Sequence, residues 1–85
     1  MEIHYFAAAR AARGVDRESV DKQEGTLGDL LADLGREHTD TTAAGMTLAQ
    51  VFDRCTFLLD GRSAQPDTTL AGASRVDVLP PFAGG

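Results

Sequence analysis

The sequence predicts an α+β fold, a roll in which a mixed sheet of about five strands packs on one main helix and a short second helix. Three observations support this prediction. Apolar side chains alternate with a two-residue period at residues 3–8, as in a strand. Leucines recur with helical spacing at residues 27–34, and an Asp-Gly pair at 60–61 follows an apolar run, which signals a hairpin. With 85 residues, the chain forms one domain.

The N-terminal part is predicted to be a β-hairpin. The alternation places a first strand over residues 2–8, and the stretch 9–14 then breaks it. Gly14 can take the positive φ of a turn. The return over residues 15–22 holds only Val15 and Val20 as apolar positions, so we expect an edge strand there.

The main helix is the clearest element in the sequence. Thr26 and Asp29 have the spacing of a capping box, and leucines follow at i, i+3, i+4 and i+7 from Leu27. Gly35 is a candidate stop, although the pattern also allows the helix to run on through residues 36 and 37. Residues 38–46 lose the period, which predicts a surface loop.

The C-terminal part is predicted to contain the second helix and three strands. Leu48, Val51, Phe52 and Cys55 have helical spacing. Strands are expected at 56–59, at 62–64 after the Asp-Gly turn, and at 76–79, with Leu70 as a core anchor between them. Pro80 and Pro81 must end the last strand, because neither can donate to a ladder. We expect the first and last strands to pair centrally, in parallel.

Composition and charge exclude several classes of function. No apolar run is long enough to span a bilayer and no leader pattern opens the chain, which predicts a cytoplasmic protein without a membrane contact. A net charge of −5 with eight Lys and Arg argues against nucleic acid and favours a partner with a basic face. The single cysteine and the absence of a Cys/His cluster exclude an internal disulfide and make a metal site unexpected.

No set of side chains has the pattern of an active site. We expect Cys55 to be a buried core residue, since it lies between two phenylalanines, and His4 and His38 to be non-catalytic, since no acid lies at catalytic spacing. The scattered acidic residues indicate a solvent-exposed face. Three arginines at positions 10, 13 and 17 form either a docking patch or a soluble turn.

The last six residues differ from an ordinary frayed terminus. We expect a domain over 1–79 and a tail over 80–85, Pro80-Pro81-Phe82-Ala83-Gly84-Gly85. Two prolines stiffen the exit, Phe82 offers an apolar anchor, and two glycines leave the terminal carboxylate unhindered. These properties suit threading into a narrow channel, with the carboxylate of Gly85 as the reacting group after activation.

The chain resembles the MoaD family, the small subunits of molybdopterin synthase (molybdopterin converting factor subunit 1), within the ubiquitin-like sulfur carriers that also include ThiS. The resemblance rests on Phe6-Ala7 followed by Arg10 and Gly14, the helix at 26–34, the hairpin at 57–61, and above all the segment 78–85. It implies a ubiquitin-like β-grasp fold and a role as cosubstrate rather than enzyme.

The resemblance also implies the chemistry and the partners. An E1-like enzyme of the MoeB type uses MgATP to adenylate Gly85, and sulfur from a sulfurtransferase or cysteine desulfurase makes a thiocarboxylate; the carrier itself binds no cofactor. The tail then enters a MoaE-type large subunit, which supplies the catalytic side chains for building the dithiolene of molybdopterin. Phe6, Arg10 and Leu79 would lie at the partner interface.

Three alternatives stay open from the sequence. The acceptor of sulfur could be cysteine, thiamine or another metabolite, and Pro80-Pro81 favours molybdopterin over thiamine. A protein modifier would form isopeptide bonds through Gly85. A plain binding module would carry an inert tail.

Overall fold

A computed structural model of the protein describes residues 1–22 and 24–81. Five strands and three helices follow one another in this part of the chain. They are β1 (Glu2–Tyr5), α1 (Ala7–Arg13), β2 (Arg17–Ser19), α2 (Leu27–Glu37), α3 (Leu48–Phe52), β3 (Thr56–Leu59), β4 (Arg62–Ala64) and β5 (Arg75–Leu79).

The strands form one mixed sheet in the order β2-β1-β5-β3-β4. β1 and β5 pair in parallel at its centre, with Ile3 opposite Val76 and Tyr5 opposite Val78, and the other pairs are antiparallel. The predicted central pairing of the first and last strands is therefore confirmed. β2 lies at an edge as predicted, although it is shorter than the stretch 15–22.

The core lies between one face of the sheet and the helices. The inward residues of β1 and β5 are almost fully buried, as are Leu27, Leu30 and Leu34 of α2 and the predicted anchor Leu70. Phe52 of α3 meets Phe57 of β3 edge to face, with ring centroids 6.1 Å apart, a favoured aromatic geometry. The apolar stripe of α2 and the inward face of the strands thus pack against each other in one apolar layer.

The structure corrects the prediction for residues 6–14. The strand ends at Tyr5 rather than at residue 8, and the expected turn at 9–14 is most of helix α1. Alanine fits both an alternating and a helical pattern, so this stretch has no periodic contrast, and the high helix propensity of alanine decides the outcome. Ala9 and Ala12 are buried, and Gly14 ends the helix at φ 88° with its N–H donating to the carbonyl of Arg10.

The main helix begins as predicted and ends later than its candidate stop. Thr26 and Asp29 form a reciprocal capping box, and α2 continues past Gly35 to Glu37. Gly35 instead permits close packing, because a Cβ at this position would lie 3.1 Å from the Cβ of Ala49 on α3. The β3–β4 hairpin is confirmed, with Asp60 and Gly61 both at positive φ (49° and 83°), as a two-residue turn of type I′ requires.

In the part of the chain that the structure describes, no helix is long and apolar enough to cross a membrane.

Candidate functional site

The candidate site is the end of the central strand β5, where the predicted tail begins. On one side, the N–H of Phe6 donates to the carbonyl of Val78 (3.3 Å), the last bond before β1 leaves the sheet. On the other side, Thr56 stands opposite Leu79, and its hydroxyl donates to the Leu79 carbonyl (3.3 Å). Pro80 has no N–H, so the ladder cannot continue. The chain therefore leaves the sheet between β1 and β3 directly after Leu79, and we call this position the release point.

Strand β1, which pairs with β5, turns away from the sheet at the same level. Ala7 has φ 50°, a left-handed conformation that is unfavourable for a residue with a Cβ. The carbonyl of Phe6 accepts from the N–H groups of Ala9 (3.0 Å) and Arg10 (3.4 Å), so it belongs to α1 and no longer to the sheet. This turn leaves the end of β5 open on the side of β1.

The three predicted interface residues lie around this release point. Phe6 is 41% exposed, although it is a large apolar side chain, and Leu79 is half-buried. Tyr5 and Val78 are opposite one another and point inward, so Phe6 and Leu79 both belong to the outer face of the sheet. Arg10 is exposed one turn further along α1, at the i+4 position from Phe6. Of the predicted tail, 82–85 lie outside the described residues, and with them Phe82, Ala83, Gly84 and Gly85.

Helix α1 is fastened to β1 and β2 by a polar network. The carboxylate of Glu18 accepts from the hydroxyl of Tyr5 (2.6 Å) and from Nε (2.7 Å) and a terminal nitrogen (3.0 Å) of Arg13. Burial, followed by the hydrogen bond to Glu18, raises the pKa of Tyr5. Of the three clustered arginines, Arg13 therefore serves the fold, whereas Arg10 and Arg17 are exposed.

The outer face of the sheet holds a hydrogen-bonded pair of side chains that sequence analysis missed. Nε2 of His4 lies 2.6 Å from the carboxylate of Glu2, and that hydrogen bond lowers the pKa of Glu2. The sequence predicts no acid at catalytic spacing from His4, whereas Glu2 lies within hydrogen-bond distance of it, because residues two apart on a strand share a face. Among residues 1–22 and 24–81, no cluster of three or more His, Cys, Asp or Glu side chains could hold a metal ion.

Cys55 lies at the margin of the core rather than inside it. It is half-buried and packs against the core, and its Sγ donates to the carbonyl of Val51 (3.1 Å). It lines an open groove of about 530 Å³ between α2, α3 and the β3–β4 hairpin. Burial raises the pKa of the thiol to about 11. Little thiolate is present at neutral pH, so Cys55 is a poor nucleophile.

Comparisons with known proteins agree with this architecture. The ThiS family model matches residues 3–85. No curated protein sequence matches the chain significantly. The crystal structure of SAMP1 from Haloferax volcanii is similar at a TM-score of 0.71 and 24% identity, covering 99% of this chain and 97% of that one.

Two further solved structures are similar at a TM-score of 0.68 and 23% identity, each covering 95% of both chains. One is small archaeal modifier protein 1 from H. volcanii, and the other is a putative molybdopterin converting factor, subunit 1, from Pyrococcus furiosus. These matches confirm the expected ubiquitin-like β-grasp fold.

Proposed function

The chain belongs to the ThiS family of ubiquitin-like sulfur carriers, and from this premise we propose that it carries sulfur as a thiocarboxylate on Gly85. The observation that supports the proposal is the release of the chain at the end of β5, between Phe6 and Thr56. A terminal carboxylate on a short segment that leaves the centre of a rigid sheet can be placed deep in a partner while the domain stays outside.

The chemistry is supplied by partners. An E1-like enzyme of the MoeB type forms the acyl adenylate of Gly85 with MgATP, and a sulfurtransferase or cysteine desulfurase provides the sulfur that displaces AMP. Neither terminal position carries a side chain, so the terminus can enter both the active site of the activating enzyme and that of the accepting enzyme. The carrier has no catalytic side chain in this scheme, and it works in the cytoplasm.

The preferred acceptor is the precursor of molybdopterin, held by a MoaE-type large subunit. The similarity to the putative molybdopterin converting factor subunit from P. furiosus and the stiff Pro80-Pro81 exit support this choice. Carriers for cysteine or thiamine share the chemistry and differ in the partner. Capture of a large subunit from cell extract by the immobilised protein would favour molybdopterin, whereas capture of enzymes of another pathway would contradict it.

A second candidate function is protein modification through an isopeptide bond to Gly85. The structural similarity to a small archaeal modifier protein favours it. It predicts lysine-linked conjugates of this protein in cell extracts. Sulfur transfer alone predicts none.

The test of the carrier function is the intact mass of the protein, made to end at Gly85 and incubated with MgATP, an E1-like enzyme and a sulfur donor. We expect one oxygen to be replaced by sulfur, and a variant that lacks Gly85 to stay unchanged. Failure of several activating enzymes to produce this change would reject the carrier function and leave the modifier or the inert binding module.

The proposed docking surface consists of Phe6, Arg10 and Leu79. Phe6 and Val15 are the two large apolar side chains that are exposed in the described part of the chain, at 41% and 39%, and only Phe6 lies at the release point. We expect Phe6→Ala to weaken binding of the activating enzyme at unchanged Tm, and Val15→Ala to leave binding intact. Equal effects of the two substitutions would exclude this surface.

A further inference from the structure

The chain contains a single lysine. Lys22 is one of eight cationic residues, and the other seven are arginines. The guanidinium of arginine stays protonated in proteins and does not act as a nucleophile, whereas a lysine amine can be acylated. An activated Gly85, as the proposed function requires, therefore meets one reactive side-chain amine per copy of the chain.

That amine is held by a carboxylate of the main helix. Nζ of Lys22 lies 3.0 Å from Oδ2 of Asp33, and the Lys22 side chain is 29% exposed. Arg36 binds the other oxygen of Asp33. The hydrogen bond from Lys22, the largest contribution, lowers the pKa of Asp33, so the carboxylate is charged at neutral pH. Asp21 and Glu37 line the same surface depression.

Lys22 also lies at the opposite end of the sheet from the tail. It follows β2 at the level where Ser19 stands opposite Glu2 and Glu2 opposite Arg75, whereas the tail leaves at Leu79. The five residues of β5 separate these levels by about 13 Å, and β1 lies between β5 and β2. Lys22 therefore lies away from the point where the tail leaves its own domain, and a terminus presented by a second copy meets Lys22 without folding back along the sheet.

We propose that the ion pair with Asp33 shields Lys22 from acylation by the activated terminus of a second copy. The inference rests on the proposed activation of Gly85. In the side reaction, the amine nitrogen forms a bond to the Gly85 carbonyl carbon, the bond from that carbon to the AMP oxygen breaks, AMP leaves, and the ammonium proton passes to solvent. The nitrogen can attack only after it loses that proton and leaves the carboxylate of Asp33, and the 3.0 Å contact holds the partly buried amine against α2. The acyl group is thereby kept for sulfur.

The first test measures the reactivity of Lys22 and needs no activating enzyme. The probe is the N-hydroxysuccinimide ester of acetate, and acetylation is followed by peptide mass spectrometry. We expect Asp33→Asn to raise the acetylation rate of Lys22 about twofold to fivefold, the range for an exposed ion pair. Asp67→Asn, which removes the same charge from an exposed turn, should leave the rate unchanged.

A second variant provides an unshielded lysine for comparison. Arg54 is exposed and takes part in no ion pair within residues 1–22 and 24–81. In Arg54→Lys, the introduced lysine should be acetylated faster than Lys22 of the same molecule. Equal rates at the two lysines, or no effect of Asp33→Asn, would overturn the proposal.

The second test follows self-conjugation directly, with activating enzyme and MgATP but no sulfur donor. Pyrophosphate release reports activation, and a covalent dimer reports acylation. We expect more dimer linked through Lys22 with Asp33→Asn than with the unsubstituted chain, and none linked through residue 22 with Lys22→Arg, with the linked residue identified by peptide mass spectrometry. Absence of pyrophosphate release would count against the proposed function, and the acetylation rates would still decide on the shielding of Lys22.

Discussion

At the scale of single residues, the hydroxyl of Thr56 contacts the carbonyl from which the tail departs. The Thr56 hydroxyl donates to Leu79 at 3.3 Å from the outer face of β3. Thr56→Val keeps the branched shape and the strand propensity but removes this donor. We expect kcat/KM for activation to fall about twofold to tenfold, the range for one net hydrogen bond.

Two measurements separate positioning from stability. Thr56→Ser restores the hydroxyl, so it should recover most of the lost activation, and Tm should stay near that of the unsubstituted protein in both variants because Thr56 is exposed. Full activation of Thr56→Val would show that the direction of the tail does not depend on this bond.

Glu18 joins the network that holds α1, and its titration gives a pH-dependent contribution to stability. Burial opposes ionisation of this carboxyl, but the hydrogen bonds from Arg13 and Tyr5 outweigh it and lower the pKa of Glu18 below its ordinary value of 4.5. A carboxyl with a lowered pKa stabilises the fold above its ordinary pKa, and the contribution is lost as pH falls through the lowered value.

We therefore expect Glu18→Gln to reduce the free energy of unfolding by about 1–2 kcal/mol at pH 7, since it weakens hydrogen bonds that involve a charged group. At pH 3 the difference between the two proteins should shrink. Thermal unfolding at both pH values measures it, with the exposed Glu24→Gln as a control that should change Tm little at pH 7. A difference that does not shrink towards pH 3 would mean that the charge of Glu18 is unimportant.

At the scale of elements, the junction between β1 and α1 is strained. Ala7 has φ 50°, where glycine is favoured over alanine, whereas Ala8 lies inside the helix, where glycine is unfavourable by roughly 1 kcal/mol. We expect Ala7→Gly to leave the free energy of unfolding equal or to raise it by up to about 1 kcal/mol. Ala8→Gly should lower it by a similar amount.

Chemical denaturation of the two variants tests this contrast between adjacent alanines. Both substitutions remove one methyl group from an exposed position, so packing differs little between them. Equal destabilisation by the two glycines would show that the left-handed conformation of Ala7 is not strained.

The same junction shows where sequence patterns suffice and where they fail. The start of α2 and the β3–β4 hairpin follow from local chemistry, a capping box and an Asp-Gly turn, so both could be predicted. Helix α1 could not, because alanine satisfies either period. Its attachment through Arg13 and Glu18 depends on a contact between α1 and β2 that no spacing rule encodes.

The candidate site, too, could be predicted from the sequence only in part. Pro80 predicts where the last strand must end, and the structure ends β5 at Leu79. The sequence alone does not indicate that β1 turns away at the level where Thr56 meets Leu79, since this requires the register of three strands. The pair of Glu2 and His4 did have a signal, namely two side chains that can hydrogen-bond, two residues apart on a predicted strand.

At the scale of the whole molecule, charge is distributed unevenly between the two layers. Residues 21–53, which include α2 and α3, hold seven of the thirteen acidic residues and two of the eight cationic ones, and so carry the whole net charge of −5. The five strands and α1 belong to the neutral remainder. A basic partner is therefore attracted to the side of α2 and α3, which leaves the release point accessible.

Because these surfaces belong to the domain and not to the tail, a change at the terminus is expected to affect the tail alone. Extending a chain that ends at Gly85 by a single alanine should abolish activation, because the glycine carboxyl becomes an amide and cannot be adenylated. Tm and binding of the activating enzyme through the Phe6 surface should change little, since every buried core residue named above precedes Pro80. Pyrophosphate release, thermal unfolding and pull-down measure the three quantities. Activation of the extended chain without removal of the alanine would show that the carboxyl of Gly85 is not the reacting group.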